Sequence, residues 1–388
     1  MSIPRLLAWL LPLGFMGALA RPASAGDAAQ VTHAIEVIVE TYGDRATEAA
    51  LYRAALDGMA RELDTLTGRQ GHAVLSKSDR EGLEDWLDGA RHGIAAEFSI
   101  VAGQGIVITD VYSGGPAEEA GLQRGDLIVA MDNRPFTGLP AELILAVAAD
   151  IQSQQVVLDV MRPEGLRRLP ITRGPWRLDS ARLIKHADVA VLRLPFFGPR
   201  SAASVRSALT ELPTGAPLVI DLRTNEGGRI TAMAQVAGLF VEEGSPVAVI
   251  DEASGAQRVI STQQSGALRN VGSVVLLVDR DTGGTAEAFA AALRHHRGAL
   301  LVGATTAGLD GLPSWIELED GLYLQVIADG LRGPDGRSWA PNGMQPDVLS
   351  QPVGRPMPVT PGELPADVQL DAACQVATQA PTHLTAGH

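Results

Sequence analysis

The chain has 388 residues, 46% of them hydrophobic, and carries a formal charge of −14. That is more chain than one core needs, and an acidic chain without basic runs argues against nucleic acid or an anionic membrane surface as a partner. Its single cysteine, Cys374, excludes an internal disulfide and a thiolate metal site.

Met1 to Arg5 carry one positive charge, an apolar run follows from Leu6 to Ala20, and Ala23-Ser24-Ala25 closes the segment. This is the pattern of a secretory signal peptide, and the run is short for a membrane span. Residues 1–25 are therefore expected to be removed, with an uncleaved anchor as the alternative and the periplasm or cell exterior as destination. Losing Arg5 and Arg21 takes the formal charge from −14 to −16. No stable membrane insertion is expected after cleavage.

Residues 26–91 read as helical. Val31, Ile35, Ile38 and Val39, then Leu51, Ala54, Leu56, Met59 and Leu63, recur at three- and four-residue spacing. A second helix is expected from Ser78 to about Ala90. In the next segment, 92–173, the loop Gly93-Ile94-Ala95-Ala96 precedes a strand from Glu97 to Val101 that contains Phe98. A helix is expected around Ala141 to Val147, including Leu143.

From Trp176 onward strands alternate with helices, which predicts an α/β core over 174–350. The strand Val189 to Leu194 leads to a helix over Ser201 to Leu212, and Pro217 to Leu222 runs into the turn Arg223-Thr224-Asn225-Glu226-Gly227-Gly228. The apolar strand Ser273 to Val278 passes through Asp279-Arg280-Asp281-Thr282-Gly283-Gly284 into a helix starting at Thr285. A strand emptying through glycines into a helix points backbone N–H groups at one spot, where an oxyanion is stabilised. Asp279 and Asp281 are expected to cap that turn; no metal constellation and no cofactor motif is present, so neither is expected. Residues 351–388 read as a Pro-rich linker, Gln351 to Pro365, followed by a helix and a tail.

Several of these stretches resemble the carboxy-terminal processing peptidases, or tail-specific proteases. The run Ala54 to Asp64 is similar to the family's N-terminal helix. Residues Gly114 to Leu122 followed by Gly125-Asp126-Leu127-Ile128 resemble a PDZ domain, and Asp221 to Gly228 resembles the family's Asp-Leu-Arg-x-Asn-Pro-Gly-Gly turn. Gly336-Arg337-Ser338, Gly343 to Val348 and Asp367 to Ala373 match later segments. The resemblance implies an α+β multidomain chain: a helical N-terminal region, a PDZ domain, and an α/β crotonase-like (ββα spiral) core. It further implies that Gly93, Ile94, Ala95, Ala96, Phe98, Leu143 and Val147 line a groove for polypeptide C-termini.

The same resemblance places Gly284 where the family's serine stands, Leu309 where its lysine stands, and Pro313 where some members have an assisting glutamine. Gly227 and Gly228 are what remains of the oxyanion turn, with Glu226 in place of its proline. Thr285 is the nearest hydroxyl, but one helical residue turns a side chain by about 100°, and Thr at a helix start reads as an N-cap. Lys77 and Lys185, the only lysines, lie far away in sequence. The expectation is a non-catalytic relative that binds C-termini and serves as adaptor or regulator of an active peptidase paralogue or another envelope protein. The alternatives are a peptidase using Thr285 or a partner's residue, and a structural subunit.

Overall fold

A computed structural model describes residues 25–149, 153–178, 181–186, 188–263, 266, 271–351 and 358–379; the expected signal segment is outside them apart from Ala25. Helices α1 (Ala25–Tyr42) and α2 (Glu48–Thr67) open the chain. The Thr47 hydroxyl caps α2 by accepting the Ala50 N–H, and Gly68, at a left-handed φ of +67°, stops it. Strand β1 (Ala73–Ser76) follows, then α3 (Lys77–Leu87), where Ser76 and Asp79 each accept the other's backbone N–H.

Strand β2 (Ala90–Gly93) leads into a six-stranded antiparallel sheet that opens with β3 (Ala96–Val101), β4 (Gly105–Val111) and β5 (Leu127–Met131). The helical turn α4 (Pro116–Glu119), the short β6 (Arg134–Pro135) beside β5, and α5 (Ala141–Ala149) precede β7 (Gln155–Arg162) and β8 (Gly165–Thr172). Ile106, Ile108, Ile128, Leu158 and Ile144 of α5 form the core of this PDZ-like domain. The chain leaves by β9 (Gly174–Arg177), antiparallel to β2, so entry and exit are paired at its base.

The main sheet runs in the order β10 (Arg182–His186), β11 (Val189–Arg193), β12 (Leu218–Asp221), β15 (Val274–Val278), β16 (Leu300–Gly303), β19 (Val348–Leu349). Only β10 is antiparallel to its neighbour. Strand β15 is apolar along both faces, as is β12 up to its last residue, Asp221, because each face is covered. Ile220, Leu276 and Val278 meet α6 (Ser201–Ala208), α7 (Ile230–Ala237) and α8 (Thr285–Arg297), whereas Val219, Val275 and Leu277 meet α9 (Val368–Gln379). A second sheet joins β1 to β13 (Pro246–Asp251), β14 (Gln257–Ser261), β17 (Gly311–Glu317) and β18 (Leu322–Arg332). No helix among the described residues is long and apolar enough to cross a membrane.

Three expectations need refinement. The region 26–91 is not all helical: β1 pairs with β18 of a sheet built much later in the chain, and the second helix stops at Leu87, ahead of β2, instead of reaching Ala90. The helix after Ser201 stops at Ala208, short of Leu212. The stretch read as a linker is partly packed: Val359 exchanges hydrogen bonds with the Gln104 side chain, and the Gly362 N–H donates to Gly125 O at 3.0 Å. It therefore straps the back of the PDZ-like sheet, where Val359 covers Val101, Val107 and Leu127; residues 352–357 lie outside the description.

Candidate functional site: two glycine turns and an edge-strand groove

The turn from β15 into α8 and the turn after β12 meet, as the sequence order suggests. The Gly283 N–H donates to Asn225 O at 3.0 Å, and the Asn225 side chain accepts the Gly227 N–H while donating to Leu194 O. Asp279 bridges the two turns by accepting the N–H groups of Thr224 and Asp281, the turn role expected of it. Gly228 sits against Phe197, and a Cβ there would lie 2.2 Å from Phe197 O, so only glycine fits this approach.

Gly284 has φ +53° and ψ −111° and is the N-cap of α8. That conformation is costly for any residue with a side chain and is the kind of sharp strand-to-helix turn on which a nucleophile is displayed. The cap reading of Thr285 is thereby corrected. Thr285 is the first helical residue, fully buried, and its hydroxyl faces Gly228 O at 3.5 Å. His296, three turns along α8, donates its Nε2–H to Pro246 O at 2.7 Å and is remote from Thr285.

The segment 306–309 is held onto the same turn by a residue whose role the sequence reading missed. Glu287 is fully buried and accepts four hydrogen bonds: from Gly284 N–H at 2.9 Å, Gly308 N–H and Leu309 N–H at 2.8 Å each, and the Thr306 hydroxyl. Burial pushes its carboxyl up to about 7, while these four donors favour the charged form. A glutamate three residues after the cap was the available signal, because a side chain there reaches back to the cap N–H.

Glu287 thus brings positions 284 and 309 together, but the side chain at 309 is aliphatic. Leu309 Cδ1 lies 3.2 Å from where a Cβ on Gly283 would stand, so its methyl packs over the glycine turn. A cleft of about 690 Å³ opens beside it, lined by Leu309, Pro313, Ile327 and Pro341 together with Glu226, Asp281, Asp310, Arg69 and Arg280. Neither lysine reaches it: Lys77 is 70% exposed beside Glu81, and Lys185 is 73% exposed beside Asp188. Among the described residues no group of three or more His, Cys, Asp or Glu is placed to hold a metal ion.

The second candidate site lies on the PDZ-like domain. Strand β3 is the outermost strand of its sheet, leaving one edge without a partner among the described residues. Ahead of it, Ala95 adopts φ +65°, and the Ile94 and Ala95 carbonyls are tied down by Ala117 N–H and Tyr112 N–H at 2.7 and 3.0 Å. The N–H groups of residues 94 and 95 donate to no acceptor among the described residues. Ile94, Ala96 and Val147 are partly buried against the domain core, whereas Phe98 and Leu143 are exposed. Of the seven residues expected to form a peptide groove, Gly93 ends β2 and the other six lie in the loop, on β3 or on α5.

This domain is fastened to the main sheet by charge. Arg193 of β11 reaches Glu97 and Asp221 at 3.2 Å each, Arg182 pairs with Asp110, and Arg223 joins Asp221 to Asp367 ahead of α9. Burial opposes the charge on Asp221, yet Arg193 and Arg223 hold its carboxyl below the usual range. Nearby, Arg91 stands over both rings of the Trp86–Phe196 edge-to-face pair, at 4.4 and 4.7 Å, and burial lowers it to about 10 against the opposing field of Glu226.

Comparison with known proteins agrees with this layout. Residues 188–350 match the family model Peptidase family S41, and residues 107–160 match the PDZ domain model. A "Probable CtpA-like serine protease" of Staphylococcus haemolyticus is 24% identical over 82% of this chain, which spans only 64% of that protein's length. The "C-terminal processing peptidase, chloroplastic" of Tetradesmus obliquus is 28% identical over 78% of this chain and 67% of its own length. Among solved structures, a photosystem II D1 C-terminal processing protease superposes with a TM-score of 0.52 at 24% identity, covering 88% of this chain and 90% of that one. A putative S41 protease from Bacteroides fragilis gives 0.53 at 19% identity, covering 74% and 82%.

Proposed function

Taking a Peptidase family S41 core joined to a PDZ domain as the premise, we propose that this chain binds polypeptide C-termini without cutting them. The observation that carries the reading is the Leu309 methyl group packed over the Gly283-Gly284 turn, where the family's chemistry needs an amine beside a hydroxyl. A serine–lysine pair works only when a partly desolvated amine can take the hydroxyl proton. Here position 284 has no side chain, and both lysines are exposed elsewhere. The peptide-binding half keeps its parts: an open edge strand, unengaged loop N–H groups and an apolar trough. Such a chain acts as an adaptor or as a regulator of an active peptidase. It does so outside the cytoplasm, a placement resting on the signal-like residues 1–25; N-terminal sequencing of the exported form should begin at Gly26, and a start well away from Gly26 would overturn cleavage after Ala25.

The binding reading is tested by calorimetry with a peptide ending in a free carboxylate and its amidated twin. Binding near micromolar, about −8 kcal/mol, is expected for the free acid. Amidation removes the charge the loop N–H groups hold, which weakens binding by roughly ten- to a hundredfold. Equal affinities, or no binding across a library of C-termini, would reduce the domain to a spacer.

A further inference from the structure

We infer that the outer face of α8 and the loop after β18 form a further binding pocket, for a small phosphate monoester carrying an apolar body. The pocket is separate from both sites described above and does not depend on whether the chain binds C-termini.

Ala291, Arg294 and His295 stand at i, i+3 and i+4 on α8, so they share one face of the helix. The loop after β18 lies across that face and leaves a cavity of about 490 Å³, lined on the loop side by Arg337, Ser338, Trp339 and Met344 among others. Glycine lets the loop come this close, since a Cβ on Gly333 would lie 3.3 Å from the Ala291 Cβ. The loop also holds its own shape. The Gly333 N–H donates to Arg337 O at 2.9 Å, the Gly343 N–H to Trp339 O at 2.8 Å, and the buried Trp339 indole to Leu309 O at 2.9 Å. Walls placed in advance leave little ordering to be done on binding.

Charge selects the ligand. The chain as a whole is at −14, yet this pocket sets the guanidinium groups of Arg294 and Arg337 against one carboxylate, Asp335. The cleft beside Leu309 has the reverse balance, Arg69 and Arg280 against Glu226, Asp281 and Asp310. Basic residues suit the end of any helix, and Arg294 to Arg297 close α8. Two of these serve the fold: His296 donates to Pro246 O and Arg297 to Val271 O, at 2.7 and 2.9 Å. The other two line the pocket. Arg294 gives only its Nη2 to Asp347, at 2.6 Å, and His295 makes no hydrogen bond to any described residue. Gln345 accepts the Thr305 hydroxyl through Oε1, and its Nε2 meets no acceptor among the described residues. An excess of donors and positive charge around one cavity matches a phosphate monoester, with its three acceptor oxygens and a charge near −2. Inorganic phosphate would fill a fraction of the space, whereas Ala291, Trp339 and Met344 offer carbon to an apolar body.

Calorimetry on the full chain at neutral pH, with phenyl phosphate, inorganic phosphate and benzoate as probes, tests the pocket. Phenyl phosphate is expected to bind about tenfold tighter than inorganic phosphate, through its ring, and about tenfold tighter than benzoate, through its second charge. Equal affinity for the two phosphates overturns the apolar body, equal affinity for benzoate overturns the phosphate head, and no binding of any probe overturns the site. Arg337, 88% exposed, and the exposed His295 can be changed without disturbing the core. Arg337→Gln and His295→Gln should each weaken phenyl phosphate binding about tenfold at an unchanged melting temperature. Lys185→Gln removes an exposed cation elsewhere and should leave the affinity as it was. Full affinity in both pocket variants, or an equal loss in Lys185→Gln, would show unspecific attraction and overturn the assignment.

Discussion

Purified protein incubated with unfolded polypeptides or with C-terminally tagged substrates is expected to release no fragments, and serine-directed phosphonates should leave it unlabelled. The residues of a nucleophile–base unit act together, and losing the unit costs roughly a millionfold in rate, leaving binding alone. Gly284 and Leu309 stand at the two positions of that unit by family resemblance, and Glu287 holds their backbones together. The buried Thr285 hydroxyl faces a carbonyl, not a base. Mass spectrometry of the reaction products is the measurement. Turnover that disappears in Thr285→Ala would make the peptidase reading the better one. Gly284→Ser alone should stay inert, because a side chain at φ +53°, ψ −111° costs about 1–3 kcal/mol and finds no amine beside it.

Removing the Glu287 carboxylate should be the most damaging single change in the core. Glu287→Ala strands the N–H groups of Gly284, Gly308 and Leu309 and the Thr306 hydroxyl in a buried site. Each unsatisfied buried donor costs about 1–3 kcal/mol, and partial relaxation brings the expected total to about 3–5 kcal/mol. Thr306 also accepts the Met344 N–H, so the segment after β18 should loosen with it. Denaturant titration reads the stability, and amide exchange at Gly308 and Leu309 reads the local opening. Glu287→Gln should also destabilise, since its amide group turns donors toward donors. A loss below about 1 kcal/mol, with exchange unchanged, would mean that water or a shifted backbone replaces the carboxylate.

Between them, these tests address two different parts of the molecule. The hydrolysis assay and the Glu287 variant address the glycine turns, whereas the peptide titrations address the edge strand some two hundred residues earlier. A chain that cuts nothing and yet binds free C-termini fits the proposed binding function.

Local spacing determined much of this. Helical periodicity placed α2 and α3, and the glycine-rich exits of β12 and β15 placed the two turns, because such features depend on neighbours within a few residues. The loop at Gly93 to Ala96, β3 and α5 were legible for the same reason. What the sequence could not decide is which face of an all-apolar strand meets which helix: Leu276 and Leu277 look alike in sequence, yet one packs on α7 and α8 and the other on α9. Nor could it show that Glu287 closes onto Gly308 and Leu309, that Val359 straps the PDZ-like sheet, or that Arg193 joins Glu97 to Asp221. Each of these contacts links residues some 20 to 255 positions apart. Partners so distant are chosen only when burial leaves a charge or an N–H group no water to turn to, and that condition exists in the folded chain alone.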